Sequence, residues 1–213
     1  MRLLRMPRLS TRVLLSISVA AALCGLWLTM MLIGTGWLDR WILAAAYAGD
    51  RPVLDDFARI ATILGDGRWV TALSILASLW LLQQQRTTTA MVFLVGTSIG
   101  RALTEFQKYE INRARPEENP HLVATYNLSF PSGHSANAAM IYLCLALLLP
   151  QEHRGRWIAE ALFVAVMVGA SRVMLGVHWP SDVVGGWSYG GLWSLLLVLI
   201  DSGLKRSGAL PRR

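Results

Sequence analysis

Between Val13 and Ile33 the chain runs for 21 residues without a charge. A helix of about 20 residues covers the roughly 30 Å hydrocarbon core of a bilayer. Five further apolar runs follow, at about Trp69–Leu82, Ala90–Phe106, Ser135–Leu149, Ile158–Leu175 and Val183–Ile200. Charged residues make up 15% of the chain and hydrophobic ones 54%, with a mean hydropathy of +0.44. A soluble domain carries about 25% charged residues, so this composition leaves too little polar surface to cover a core. Inside a bilayer the backbone must satisfy its own hydrogen bonds, which makes each run a helix. The expected fold is all-α: a six-transmembrane helix bundle forming one domain over residues 1–213.

Charge placement orients the bundle. Arg2, Arg5, Arg8 and Arg12 precede the first run, as they would in a signal peptide. That run is too long for one and no A-x-A-like site follows it, so a retained anchor is expected. With six spans both termini share a side, and that side carries eleven Lys and Arg against eight on the other. The bias places both termini in the cytoplasm. The net charge of +7 is then largely a matter of topology, and no nucleic-acid partner is called for. Trp179 and Trp187 are expected to fix the outer end of the last span at the interface.

Gly34–Arg68 is too polar to span. Trp37, Trp41, Ile42 and Ala45 share one helical face, as do Phe57, Ile60, Ala61 and Leu64, with Asp39, Asp50, Asp55 and Asp56 between them. One or two short interfacial helices between the first and second spans fit this pattern; so does a loop packed over the bundle. Gly96/Gly100 and Gly186/Gly190 are spaced to let helices approach closely. Arg101 and Glu105, four apart in the third run, are expected to pair. Cys24 and Cys144 sit in apolar runs with neither disulfide nor metal spacing.

Three segments break the apolar pattern: Lys108 to Pro116, Phe130 to His134, and Ser171-Arg172 followed by His178 to Asp182. All three fall at the outer ends of predicted spans, and polar groups gathered at one membrane depth suggest a site. Each segment alone has an ordinary explanation. Lys108, Arg113 and Arg115 would suit a headgroup patch, Pro-Ser-Gly-His a helix cap, and Asp182 a helix N-terminal charge. Together their chemistry converges. Lys108, Arg115 and Arg172 offer permanent cations to a tetrahedral oxyanion. Ser132 and Gly133 open a predicted helix, whose first N–H groups bind anions. His134 and His178 can transfer protons or attack, and Asp182, four residues after His178, can orient its ring if a helix starts near Pro180.

The three segments resemble the type-2 phosphatidic acid phosphatase family, which shares its site with vanadium haloperoxidases. The family pattern K-x6-R-P, P-S-G-H and S-R-x5-H-x3-D is met without a substitution or spacing change over the 75 residues Lys108–Asp182. The resemblance implies a metal-independent, cofactor-free phosphatase. In it His178 forms a phosphohistidine, Asp182 orients His178, and His134 protonates the leaving oxygen and then activates water. Lys108, Arg115, Ser132, Gly133 and Arg172 hold the phosphoryl oxygens. The implied substrate is a phosphorylated membrane lipid: undecaprenyl pyrophosphate, phosphatidylglycerol phosphate or phosphatidic acid. A lipid phosphotransferase would use the same motifs, and a transporter of a phosphorylated substrate is a third reading. The short loops suit a bacterial cytoplasmic membrane, with the site facing outward.

Overall fold

The computed structural model describes residues 11–125, 128–148 and 151–207. Arg2, Arg5, Arg8, Arg212 and Arg213, which enter the topological count, lie outside them. The elements are α1 (Thr11–Ile33), α2 (Trp37–Ala46), α3 (Pro52–Ile63), α4 (Gly67–Gln83), α5 (Thr87–Ile111), α6 (Gly133–Leu148), α7 (Arg154–Met174) and α8 (Pro180–Ser207), with a 3-10 turn at Gln151–His153. No strand occurs among the described residues, so the all-α expectation holds. Among the described residues each predicted run falls on a helix to within one residue; Leu149 lies outside them.

Local chemistry sets several of those ends. Pro opens α3 and α8, where its missing N–H has no helical partner to lose. Asp66 caps α4 by accepting from the Arg68 N–H at 2.9 Å. Asn112 ends α5 in the left-handed region at φ 51°, its N–H returning to Lys108 O.

By length and apolar composition α1, α7 and α8 suffice to cross a membrane. The α3–α4 pair, bent by 42° at its joint, is long and apolar enough only when its two helices are taken together. α5 has 25 residues but carries Arg101, Glu105, Lys108 and Glu110, and α6 has only 16.

α6 lies at the centre, packed chiefly on α8 and α7, while α1 lies along α8. The Gly186/Gly190 pair lets α8 approach the α6 backbone. A Cβ on Gly190 would stand 2.5 Å from Ala136 O, and one on Gly186 2.7 Å from Ser132 O. Gly96 and Gly100 of α5 instead receive the side chains of Leu197, Trp193 and Met140. Farther along the bundle Phe93, Ile141, Cys144 and Leu197 form an apolar cluster.

Gly34–Arg68, expected as one or two short helices or a packed loop, holds the two helices α2 and α3. Trp37, Trp41, Phe57 and Ile60 point outward, while Asp39, Leu43, Ala58 and Ala61 are buried against the bundle. Two expectations need correction. Trp179 and Trp187, expected as interfacial anchors, turn their indole N–H groups inward and donate to Ala114 O and Ala165 O. Arg101 donates to Thr71 and to Gly67 O, and Glu105 pairs with Lys108 at 3.2 Å rather than with Arg101. The three-residue step places Glu105 beside Lys108 on the face turned to the motifs.

Candidate active site

The three polar segments meet in one cavity of about 500 Å3, lined among others by Lys108, Arg115, Gly133, His134, Arg172 and His178. The helices deliver these side chains from separate directions. Lys108 comes from the last turn of α5, Gly133 and His134 from the first turn of α6, and Arg172 from the last turn of α7. Arg115 and His178 stand on the connections that follow α5 and α7. Ser132 does not line the cavity. It is fully buried beneath the start of α6, where its hydroxyl accepts from Ser135 at 3.0 Å. Its main-chain N–H donates to Asp182 O at 3.0 Å and so ties the second motif to the third.

The cations are held before any anion arrives. Lys108, 4% exposed, pairs with Glu105. Arg172, 5% exposed, donates through one terminal nitrogen to Thr62 at 2.7 Å, and its Nε has no partner among the described residues. A buried N–H of that kind is costly unless something accepts from it. Arg115 donates to Val177 O and Leu128 O.

His178 is only 2% exposed, and its geometry fixes its tautomer. The Arg115 guanidinium lies 3.1 Å from Nε2. Arginine can only donate, so Nε2 is the acceptor and the ring proton sits on Nδ1. That nitrogen faces Asp182 Oδ2 at 3.5 Å and Ser129 Oγ at 3.4 Å. Asp182, fully buried, also accepts on Oδ2 from the Ser129 hydroxyl and from the Trp179 N–H at 2.9 Å. Burial, reinforced by Arg115, Arg172 and Lys108, holds His178 well below the ordinary imidazole value. The ring is therefore neutral at neutral pH, with the Nε2 lone pair available.

α8 does begin at Pro180, which sets the His178–Asp182 distance. Four further residues serve the site in ways the motifs do not announce. Arg113 pairs with Asp182 Oδ1 at 2.9 Å. Ser129 bonds both Asp182 and His178. Thr62 anchors Arg172, and Asp39 accepts from Ser181 beside Asp182. The closeness of Arg113 to the first motif was a signal, but its inward direction was not. Ser129, just before the second motif, carried none. Among the described residues no group of three His, Cys, Asp or Glu side chains is placed to hold a metal ion.

The profile of the PAP2 superfamily matches residues 89–206, which contain all three motifs. Phosphatidylglycerophosphatase B of Bacillus subtilis is 34% identical over 174 residues, covering 79% of this chain and 85% of that protein. An undecaprenyl-diphosphatase of Sulfolobus acidocaldarius is 32% identical over 165 residues, 70% of this chain and 76% of its own length. A lipid A 1-phosphatase of Rhizobium etli is 30% identical over 177 residues, 72% and 74% of the two chains. The crystal structure of a transmembrane PAP2-type phosphatidylglycerolphosphate phosphatase from Bacillus subtilis superposes with a TM-score of 0.79 at 32% identity, covering 90% of this chain and 98% of that one. With its fold, its motif spacing and its relatives in agreement, the chain belongs to the PAP2 superfamily.

Proposed function

We propose that this chain, a membrane lipid phosphatase by family and relatives, works through a phosphohistidine on His178. The supporting observation is the neutral His178 ring, its Nε2 turned to Arg115 in a cavity that also holds His134, Lys108 and Arg172. Nε2 attacks phosphorus as the bond to the lipid oxygen breaks, and His134, which takes up a proton as the substrate's phosphate charge enters the cavity, gives that proton to the lipid oxygen. Water, deprotonated by His134, then attacks the phosphohistidine, releasing phosphate and freeing His178. Asp182 and Ser129 hold Nδ1–H and steady the imidazolium character that develops. Lys108, Arg115, Arg172 and the first turn of α6 at Gly133 balance charge on the equatorial oxygens, the main demand of phosphoryl transfer. Ser132 supports that turn from beneath. The three cations fill the role a metal would otherwise play, and the reaction is read as metal-independent.

The substrate is a lipid phosphomonoester or pyrophosphate, with undecaprenyl pyrophosphate, phosphatidylglycerol phosphate and phosphatidic acid as the classes to compare. In this reading α1, the bent α3–α4 pair and α5 to α8 give six crossings. Both termini are cytoplasmic and the site faces outward from a bacterial inner membrane. A cysteine at exposed Glu117 should then react with an impermeant thiol reagent in intact cells; labelling only after lysis would reverse the orientation. The activity test is phosphate release by purified protein from the three lipids, with and without EDTA and an added lipid alcohol. Release that persists in EDTA supports the reading. Activity restored only by a divalent ion would overturn the mechanism, and phosphoryl transfer to the alcohol in preference to water would make the protein a transferase.

A further inference from the structure

We propose that Arg113 is a positioning residue that holds Asp182 ionised and aimed at His178, a role resting on His178 being the nucleophile. Its side chain is 9% exposed. One terminal nitrogen donates to Asp182 Oδ1 at 2.9 Å and to Ser181 Oγ at 3.2 Å. The other donates to Met30 O and Met31 O, each at 2.8 Å. These are last-turn carbonyls of α1, which have no partner within the helix. The guanidinium also lies over the Phe130 ring, 4.4 Å from its centroid. One planar fork thus joins α1, the residue before the second motif's Pro131, and the first turn of α8.

The energetic logic lies in Asp182. Its Oδ2 is occupied by Ser129, Trp179 and the facing Nδ1 of His178, which leaves Oδ1 to Arg113. Among the described residues Arg113 is the only permanent cation within ion-pair distance of this fully buried carboxylate. A buried carboxylate that loses its cation takes up a proton more readily, and a protonated Asp182 no longer offers the Nδ1–H of His178 a charged acceptor. The other charged groups around the pair are Arg115, Lys108 and Arg172 beside His178, His134 across the cavity, and Asp39 beside Ser181. Arg115 attracts Asp182 from a distance without an ion pair, Lys108 and Arg172 lie beside the ring, and Asp39 adds negative charge, so none replaces the direct pair with Arg113. Lysine would restore charge but not the fork.

The test uses full-length protein in mixed micelles of lipid phosphate. Arg113→Met should lower kcat about 30-fold with KM within about threefold. The acidic limb of kcat/KM should move to higher pH by about one unit, because a proton then competes better for Asp182. Arg113→Lys should return the limb toward its original position while recovering only part of kcat. In an Asp182→Asn background the further loss on Arg113→Met should shrink severalfold, since the group it acts through is gone. A residue that merely fastens α1 would reduce thermal stability with the limb unmoved, and that result overturns the proposal; so does kcat within threefold of wild type. If Arg113→Met fails to fold, Arg113→Lys decides alone: a wild-type kcat refutes the role. His178→Ala separates the two levels. Retained activity in that variant sinks the phosphohistidine reading, whereas an inactive His178→Ala beside a normal Arg113→Met sinks only this inference.

Discussion

At one end of α5, α6 and α8 the side chains are Lys108, His134 and Asp182; farther along the same helices they are Phe93, Cys144 and Leu197. The first half is held by directional bonds between charged and polar groups drawn from α1, α2, α3, α5, α6, α7 and α8. The second is held by shape, with Phe93 and Cys144 fully buried among Val70, Ile141 and Leu148. Between helices in a membrane there is little hydrophobic gain, and close contact supplies the attraction. The two halves should therefore fail differently. Removing one member of an ion pair from the polar half strands the other charge, while trimming the apolar half opens a small gap. The glycines of α8 join the two halves, because Gly186 and Gly190 set the α6–α8 distance for both.

The largest expected effect comes from His178→Ala or His134→Ala, each lowering phosphate release by about 10^3-fold or more. Thermal stability should stay near wild type, since neither change leaves an unpaired buried charge. Either variant with near-normal turnover would break the distinction between a reacting half and a merely supporting one. The depressed His178 value also has a sign: a ring that resists protonation remains a competent nucleophile below the ordinary imidazole range. The acidic limb for phosphoenzyme formation in wild type should accordingly lie below about pH 6.5, and a limb at or above it would contradict the geometry. Next comes Gly190→Val, whose Cβ would meet α6 main-chain atoms at 2.5 and 2.8 Å. About 3 kcal/mol or more of destabilisation and loss of a monodisperse peak are expected. A well-folded, fully active variant would show that the helix spacing is slack. Smallest is Cys144→Ala in the apolar half, costing about 1 kcal/mol with kcat and KM unchanged. A large fall in kcat there would mean that the halves are coupled more tightly than their contacts suggest.

The helices and the reacting groups were legible because each leaves a local mark. An uncharged run of bilayer length gives α1, and three motifs at fixed spacing give Lys108 to Asp182. What stayed hidden depends on direction and on partners far along the chain. Arg113 read as a headgroup contact because its acceptors, Met30 and Met31, lie more than eighty residues earlier. Asp39 looked like a surface charge between apolar turns, yet it is 6% exposed and bonds Ser181. Trp179 and Trp187 had the residue type of interfacial anchors, but packing on α7 and the α5–α6 connection turned their N–H groups inward. Residue type shows what a side chain can bond, and only the fold decides which way it faces.

Lys108, Arg115 and Arg172 share one half-closed cavity, and like charges at close range repel. Such a site is a liability to the folded state, and relieving it links thermostability to solution composition. An oxyanion bound among the three stabilises the native protein through mass action, by about 2.7 kcal/mol at a hundred times its Kd. Phosphate, the product of the proposed reaction, would then act as a conformational ligand as well as a competitor for the site. Melting temperature would rise with phosphate concentration, and the same cations that stabilise developing charge on the substrate would make the protein most heat-labile in buffers without an oxyanion.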